Sequence, residues 1–229
     1  MKEIKQKNLR TEVGFLHGNL ELYALESRFG KLDVSDRTTL SLLVMGVASC
    51  IEVGVREAIK RLVDSGEPFL GRAEKFKEYI KFDFLLTKEL SLGNITFGDL
   101  ISHSLPVSSL NHIASHFESL FMENSKMKFA EILSKVRVFM EPDDEDLFNK
   151  GHSPGKELPP FLLNNARDLL KDIALIFEIR HLVAHEANFK VVSYEELEKL
   201  LKSARSFLNS PESVKPAPTL SLSPPASTF

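Results

Sequence analysis

Apolar residues recur every three or four positions along most of this chain, which is the period of an amphipathic α-helix. The strongest example begins after Asp36, a residue suited to cap a helix, and ends near Ser65 and Gly66. Its apolar positions are Leu40, Leu43, Val44, Val47, Ile51, Val55, Ile59 and Leu62. Because no run of alternating apolar and polar residues indicates a strand, the pattern predicts an all-α fold, a helical bundle.

The same period predicts further helices, bounded by glycine, proline and capping residues. They cover residues 12–29, 72–84, 109–122, 126–139 and 193–208, with a long helix from just after Pro160 to about residue 188. Residues 85–105 are ambiguous, although Thr96 is suited to cap a short helix through Ser104.

Two segments differ from the rest in composition. The loop 141–160 opens with five acidic residues in six positions, and we interpret it as a solvated linker. Its acids lack the glycine and the distal glutamate of a calcium-binding loop. From Pro211 onward there are five prolines and four serines, without apolar periodicity. From this pattern we predict one helical domain, residues 1–209, followed by a disordered tail, residues 210–229.

Composition narrows the class of protein. The chain has 229 residues, 43% of them hydrophobic, and a net charge of −3, so it lacks the overall basic excess typical of nucleic-acid-binding domains. Cys50 is the single cysteine, which excludes an intramolecular disulfide and favours a reducing, cytoplasmic setting. The first seven residues are too polar for a signal peptide. The longest apolar run, residues 40–51, is shorter than the roughly 20 residues of a membrane span, so we expect no membrane segment.

The most informative stretch is residues 177–186, which place Arg180, His181 and His185 in an apolar helical pattern. Arginine is rare on a buried stripe unless it is paired or functional. On a helical wheel Arg180 falls on the main apolar stripe, whereas the two histidines share a flank with Glu178. Arg180 and His185 lie about 140° apart on an ideal helix, so one chain does not bring them together. Two such helices related by a two-fold axis would bring the arginine of one chain close to the histidine of the other. A second apolar face, made by Leu175, Ile179 and Leu182, also favours a homodimer.

These residues resemble the motif of the HEPN family, the higher eukaryotes and prokaryotes nucleotide-binding domain. Arg180, His181 and His185 match its pattern of an arginine, a polar residue and a histidine a few positions on, and Leu182-Val183-Ala184-His185 is similar to its apolar-Ala-His ending. The resemblance extends over residues 36–208. Ser49-Cys50-Ile51-Glu52 resembles the family's early acidic helix. The helices at 109–122 and 126–139 resemble the helical insert of the variant found beside RiboL-PSP proteins.

The resemblance implies a metal-independent endoribonuclease that acts on RNA as a homodimer, often as a toxin or in anti-phage defence. Some members of the family only bind nucleotides or scaffold other proteins, so a non-catalytic binding or interaction module is the alternative. Members controlled by small nucleotidyltransferase antitoxins carry a tyrosine two residues after the motif histidine. Ala187 occupies that position here, which argues against that antitoxin but leaves another regulatory partner open.

RNA carries its own nucleophile, the 2′-OH, and cleavage through it leaves a 2′,3′-cyclic phosphate and a 5′-OH. We expect His185 to move the proton and Arg180 to hold the phosphate and stabilise its growing charge. His181 would orient the phosphate or act as the complementary acid or base. The structural alternative is that Arg180 pairs with an acid, such as Glu52 on the long second helix.

Other chemistry is less well supported by the sequence. His181 and His185 have the spacing of two metal ligands on one helix, but Leu182 replaces the glutamate of the H-E-x-x-H motif and no third ligand is evident. We therefore predict neither a metal nor another cofactor. His112 and His116 repeat the spacing at what we interpret as a core edge. Cys50 has the apolar neighbours of a core thiol.

Two sets of basic residues are candidates for RNA contact. The first is Arg56, Lys60 and Arg61 on the long second helix, and the second is Lys2, Lys5, Lys7 and Arg10. Each set is interpreted first as a solvated helix face.

Overall fold

The computed structural model describes residues 17–121, 127–137, 160–161, 163 and 165–212. This part of the chain holds nine α-helices and no β-strand, which confirms the predicted all-α class. The α-helices are α1 His17–Phe29, α2 Arg37–Asp64, α3 Phe69–Arg72, α4 Phe84–Ser91, α5 Phe97–Ser104, α6 Leu110–Phe121, α7 Phe129–Ser134, α8 Ala166–Glu186 and α9 Tyr194–Glu212.

The long helix α2 lies at the centre of the bundle and contacts α1, α5, α8 and α9. Its residues at helical spacing are inaccessible to solvent, and these include Leu40, Val44, Val47, Ile51, Val55 and Ile59. Burying such side chains contributes about 1.5–3 kcal/mol each relative to leaving them exposed. The sequence predicted this stripe, and its burial explains why one helix organises most of the fold.

Both predicted helix caps at the start of α2 and α5 are present. The Asp36 side chain accepts a hydrogen bond from the Thr39 backbone N–H. Thr96 and Asp99 form a capping box in which each side chain accepts from the other's backbone N–H. Because these bonds satisfy donors that a helix leaves free at its first turn, they define where each helix begins.

The basic residues of α2 hold α5 in place. Lys60 Nζ lies 2.6 Å from an Oδ of Asp99, whose side chain is almost fully buried. Burial alone would raise the pKa of Asp99, but the hydrogen bonds from Lys60 and Thr96 together keep it below its usual value. Arg56 donates to the carbonyl oxygens of Ser102 and Leu105 at the end of α5. Lys60 and Arg56 therefore make structural contacts and do not form a purely solvated face, while RNA contact by these residues stays a prediction.

The region after α2 differs from the predicted helix at 72–84. The short helix α3 passes into a 3-10 helix, Ala73–Tyr79, which ends at Ile80 in an extended conformation. Ala73 and Phe76 are its buried residues, and this three-residue spacing suits a 3-10 helix as well as an α-helix. Asp83 then caps α4, a helix that the ambiguous sequence pattern did not predict.

The predicted helices at 126–139 and after Pro160 are both too long. Helix α7 ends at Ser134, and Arg137 forms an isolated antiparallel bridge with Phe161. The guanidinium of Arg137 also lies 4.2 Å from the centroid of the Phe161 ring. Helix α8 begins only at Ala166, because the Asn165 side chain provides its cap. The acidic stretch 141–146 lies outside the described residues.

The C-terminal helix is longer than predicted. Ser193 accepts from the Glu196 backbone N–H as expected, but α9 continues to Glu212, so the proposed boundary at residue 209 falls inside a helix. The predicted tail from residue 213 onward lies outside the described residues.

Among the described helices, α2 is long and apolar enough to cross a membrane by length and composition. A buried core helix passes the same test, and α2 packs among other helices of the bundle, so the expectation of no membrane span stays a prediction.

Replacing Gly98 with alanine should destabilise the fold by about 1–3 kcal/mol, as overpacking of a close contact does. A Cβ at this position would clash with the backbone carbonyl oxygen of Lys60, where α5 meets α2. Urea unfolding followed by circular dichroism measures the effect. Gly30→Ala is the control, because the nearest atom to its Cβ would be 3.9 Å away. An unchanged urea midpoint for Gly98→Ala would contradict the close approach.

Candidate active site

Helix α8 carries the motif, and polar contacts hold both of its ends. Near its start, buried Asp172 accepts from Lys199 Nζ at 2.6 Å and from Ser203 Oγ at 2.7 Å, which joins α8 to α9. After its end, the Phe189 carbonyl accepts from Ser41 Oγ at 3.0 Å, which joins the segment to the first turn of α2. The motif helix is therefore fixed against two neighbouring helices along its length.

The helix stays α-helical through both motif histidines. It ends after Glu186, where Ala187 adopts a left-handed conformation with φ 51° and its backbone N–H bonds to the Leu182 carbonyl. Left-handed φ values are unfavourable for alanine and terminate a helix in the way that glycine usually does. His185 therefore lies in the last turn of the helix.

Arg180 projects toward α2 and pairs with Glu52. Nη1 of Arg180 lies 3.2 Å from Oε1 of Glu52, and the two side chains are 33% and 21% exposed. Oε1 itself is buried and accepts no hydrogen bond of good geometry, so the contact is an ion pair. Glu52 is thus the acidic partner that the sequence suggested for Arg180. A third of the arginine side chain remains open to solvent.

His181 and His185 lie side by side on the outer surface of α8. Both residues are exposed, and their ring centroids are 4.7 Å apart with the ring planes tilted by 46°. Glu178, one turn before His181, is exposed as well. The wheel predicted this shared flank, and the surface position gives both imidazoles access to solvent or to a ligand.

The second apolar face predicted for α8 is only partly uncovered. Ile179 is 2% exposed and belongs to the core of the single chain, so it does not require a second subunit. Leu175 and Leu182 are partly buried. Ala184, one turn after Arg180, is exposed.

Within one chain, Arg180 and the two histidines lie on different faces of α8. No hydrogen bond or ion pair joins Arg180 to His181 or His185 in the described part of the chain. The arginine is directed to Glu52 and the histidines to solvent. The structure thus brings the two histidines together and leaves the arginine beside the acid of α2.

The other candidate side chains have structural roles. His116 is buried, and its Nε2 donates to the Pro106 carbonyl at 2.7 Å, while His112 is exposed. This confirms the core-edge interpretation. Cys50 is 6% exposed, and burial, with a smaller contribution from the charge of Glu21, raises the pKa of its thiol to about 11. A thiol with so high a pKa is protonated at neutral pH and is not a nucleophile.

An open cavity near α3 has no recognisable signal in the sequence. Its volume is about 350 Å³, and its lining residues carry mixed charge: Glu67, Pro68, Gly71, Arg72, Glu74, Lys75 and Lys77. Arg72 donates to the carbonyls of Leu120 and Phe121, so it caps α6. The cavity lies apart from Arg180 and contains no histidine or nucleophile.

No protein-family model, no curated protein and no solved structure matches this chain. The resemblance to the HEPN family therefore rests on the residues around Arg180 and on the all-α architecture.

Stability should fall as the pH drops below about 6.5, the ordinary value for histidine, because burial lowers the pKa of His116 in the folded state. The Pro106 hydrogen bond opposes this effect, whereas the charges of His112 and Arg56 add to it. The unfolded chain then binds the proton more readily than the folded one. Urea unfolding at pH 7.5 and 5.5 measures the loss.

In His116→Gln, which keeps a donor for the Pro106 carbonyl, the loss of stability between these two pH values should be smaller than in the native chain. His112→Gln removes one of the smaller contributions to the shift, so its loss should lie between those of His116→Gln and the native chain. An equal pH dependence in the His116→Gln and native chains would show that His116 is not the responsible group.

Proposed function

We propose that this chain is a metal-independent endoribonuclease of the HEPN type, acting in the cytoplasm as a homodimer in a toxin or defence role. The observation that carries the proposal is the exposed pair His181 and His185 on the same helix as the partly exposed Arg180. A planar guanidinium binds phosphate, and imidazole transfers protons near neutral pH. Together these groups suffice to cleave RNA without a metal.

The reaction begins with the ribose 2′-OH. One histidine, which we assign as His185, takes the 2′-OH proton while O2′ forms a bond to the adjacent phosphorus. The bond from phosphorus to the 5′ oxygen then breaks, and that oxygen receives a proton from the complementary group, His181. Arg180 holds the non-bridging phosphate oxygens and stabilises their negative charge in the transition state. The products are a 2′,3′-cyclic phosphate and a 5′-OH.

The divergence of Arg180 and His185 on α8 supports a site shared by two subunits. A single chain directs the arginine to Glu52 and the histidines to solvent. Two α8 helices meeting about a two-fold axis place the arginine of one subunit near the histidine of the other. Such a contact has apolar surface available on α2. Leu42 is exposed and Met45 is partly buried, and both lie on the part of α2 that precedes Glu52.

The ion pair between Arg180 and Glu52 favours a second candidate function, a non-catalytic nucleotide-binding or interaction module. A guanidinium paired with a carboxylate is less available to a phosphate. In such a module the ion pair would stabilise the contact with a partner protein. Such a module binds RNA or nucleotide without cleaving it.

Changing His185 or Arg180 to alanine should lower RNA cleavage by at least about 10²-fold, the usual contribution of a proton-transfer group, with helicity unchanged. The assay uses end-labelled RNA with EDTA present, and the product ends are identified by mass. His112→Ala, an exposed histidine on α6, is the matched control and should retain full activity. Activity in His185→Ala equal to the native protein rejects the mechanism, and tight RNA binding without cleavage by the native protein supports the module.

Mixing inactive Arg180→Ala with inactive His185→Ala protein should restore about a quarter of native activity if each site takes its arginine and histidine from different chains. Half of the randomly mixed dimers then contain both variants, and each of these has one intact site of two. Refolding the two variants together, followed by the cleavage assay, measures the recovery. No recovery, with dimers confirmed by light scattering, would show that each site lies within one chain.

A further inference from the structure

The two exposed histidines of α8 have a geometry that the proposed ribonuclease does not by itself require. His181 and His185 are four residues apart on a helix that is regular at both positions, and their ring centroids are 4.7 Å apart. Their ring planes are tilted by 46°, so the rings are not stacked face to face. Side chains at this spacing meet on one helix face and can bind a common ligand.

The distance between the rings matches that of two imidazoles on one metal ion. With zinc–nitrogen bonds of about 2.0–2.1 Å and an angle of about 90–110° at the metal, the ring centroids lie about 4.5–5.2 Å apart. The observed 4.7 Å falls within that interval. Because both side chains are exposed, their rings can turn their nitrogens toward the ion without disturbing the core.

The second histidine pair of the chain provides a contrast. His112 and His116 also lie four residues apart, but their ring centroids are 6.4 Å apart and their planes nearly parallel, at 14°. Nε2 of His116 is engaged by the Pro106 carbonyl in the interior. Equal spacing in sequence therefore gives a chelating geometry on α8 and not on α6.

We propose that His181 and His185 form a two-histidine site for a borderline-soft divalent cation, with Zn²⁺ as the representative ion. Imidazole nitrogen suits Zn²⁺, Ni²⁺ and Cu²⁺, and does not suit Mg²⁺, which prefers oxygen ligands. No group of three or more ligating side chains occurs in the described ranges, so the remaining positions on the ion belong to water or to a second copy of the site. The exposed carboxylate of Glu178 on the same flank adds negative charge that favours a cation.

Zn²⁺ bound at this site inhibits RNA cleavage. This inhibition rests on the proposed ribonuclease function, whereas the binding of Zn²⁺ does not. A nitrogen lone pair that coordinates zinc is not available to take the proton from the 2′-OH. Zn²⁺ therefore blocks the same two groups that we assign to proton transfer, and removing the metal restores them.

The binding is tested by isothermal titration of the untagged full-length chain with ZnCl₂. The native protein should bind Zn²⁺ in a saturable manner, and Mg²⁺ should give no signal. His181→Ala and His185→Ala should each weaken binding at least about tenfold, since loss of even an outer-shell partner weakens metal binding roughly 10–100-fold. His112→Ala should bind as the native chain does. Zinc binding as tight in His181→Ala and His185→Ala as in the native protein overturns the proposal.

A second measurement separates this proposal from the proposed function. RNA cleavage by the native protein should fall at zinc concentrations that saturate the site and return when EDTA is added. Histidine-dependent binding without any RNA cleavage overturns the ribonuclease and the inhibition but supports the zinc site. Cleavage that requires His185, with no histidine-dependent zinc binding, overturns the zinc site and supports the ribonuclease.

Discussion

The fold depends on the removal of one long helix from water. Helix α2 buries residues along its whole length and contacts α1, α5, α8 and α9, so these helices lose a common surface if α2 is displaced. Apolar burial is the dominant favourable contribution to folding, and here it is concentrated on a single element. The polar residues of α2 then set the positions of its neighbours: Arg56 and Lys60 hold α5, Ser41 holds the segment after α8, and Glu52 meets Arg180.

The same arrangement determines what the motif helix can do. Since α8 packs against both α2 and α9, its side chains divide into a buried set, an arginine at the margin and an exposed flank. Arg180 keeps its charge at the margin because Glu52 is opposite and water still reaches a third of the side chain. The histidines lie on a flank that none of the described helices covers. Arg180 thus shares one helix with the two histidines without a hydrogen bond or ion pair to either in the described part of the chain, and this separation is the reason to test for a second subunit.

The strongest periodic segments were predictable, and the weak ones were not. The structure confirms three helix starts that the sequence predicted from their capping residues, Asp36, Thr96 and Ser193. They were predictable because a cap is a local hydrogen bond between residues three apart. The helix predicted at 72–84 is mostly a 3-10 helix, since an apolar spacing of three does not distinguish a 3-10 turn from an α-helix. The helix predicted at 126–139 is present but shorter, Phe129–Ser134. Pro160 was a misleading start, because Phe161 is held by Arg137, a residue distant in sequence.

The sequence by itself determined the all-α class, the buried stripe of α2 and the placement of Arg180, His181 and His185 on one helix, because helical periodicity and capping are local properties. Only the tertiary structure decided what each of these side chains meets. Arg56 and Lys60 became structural through α5, His116 became buried while His112 stayed exposed, and the two histidine pairs acquired different separations. These outcomes depend on which neighbouring helix covers each face, and that is set by packing between segments far apart in the chain.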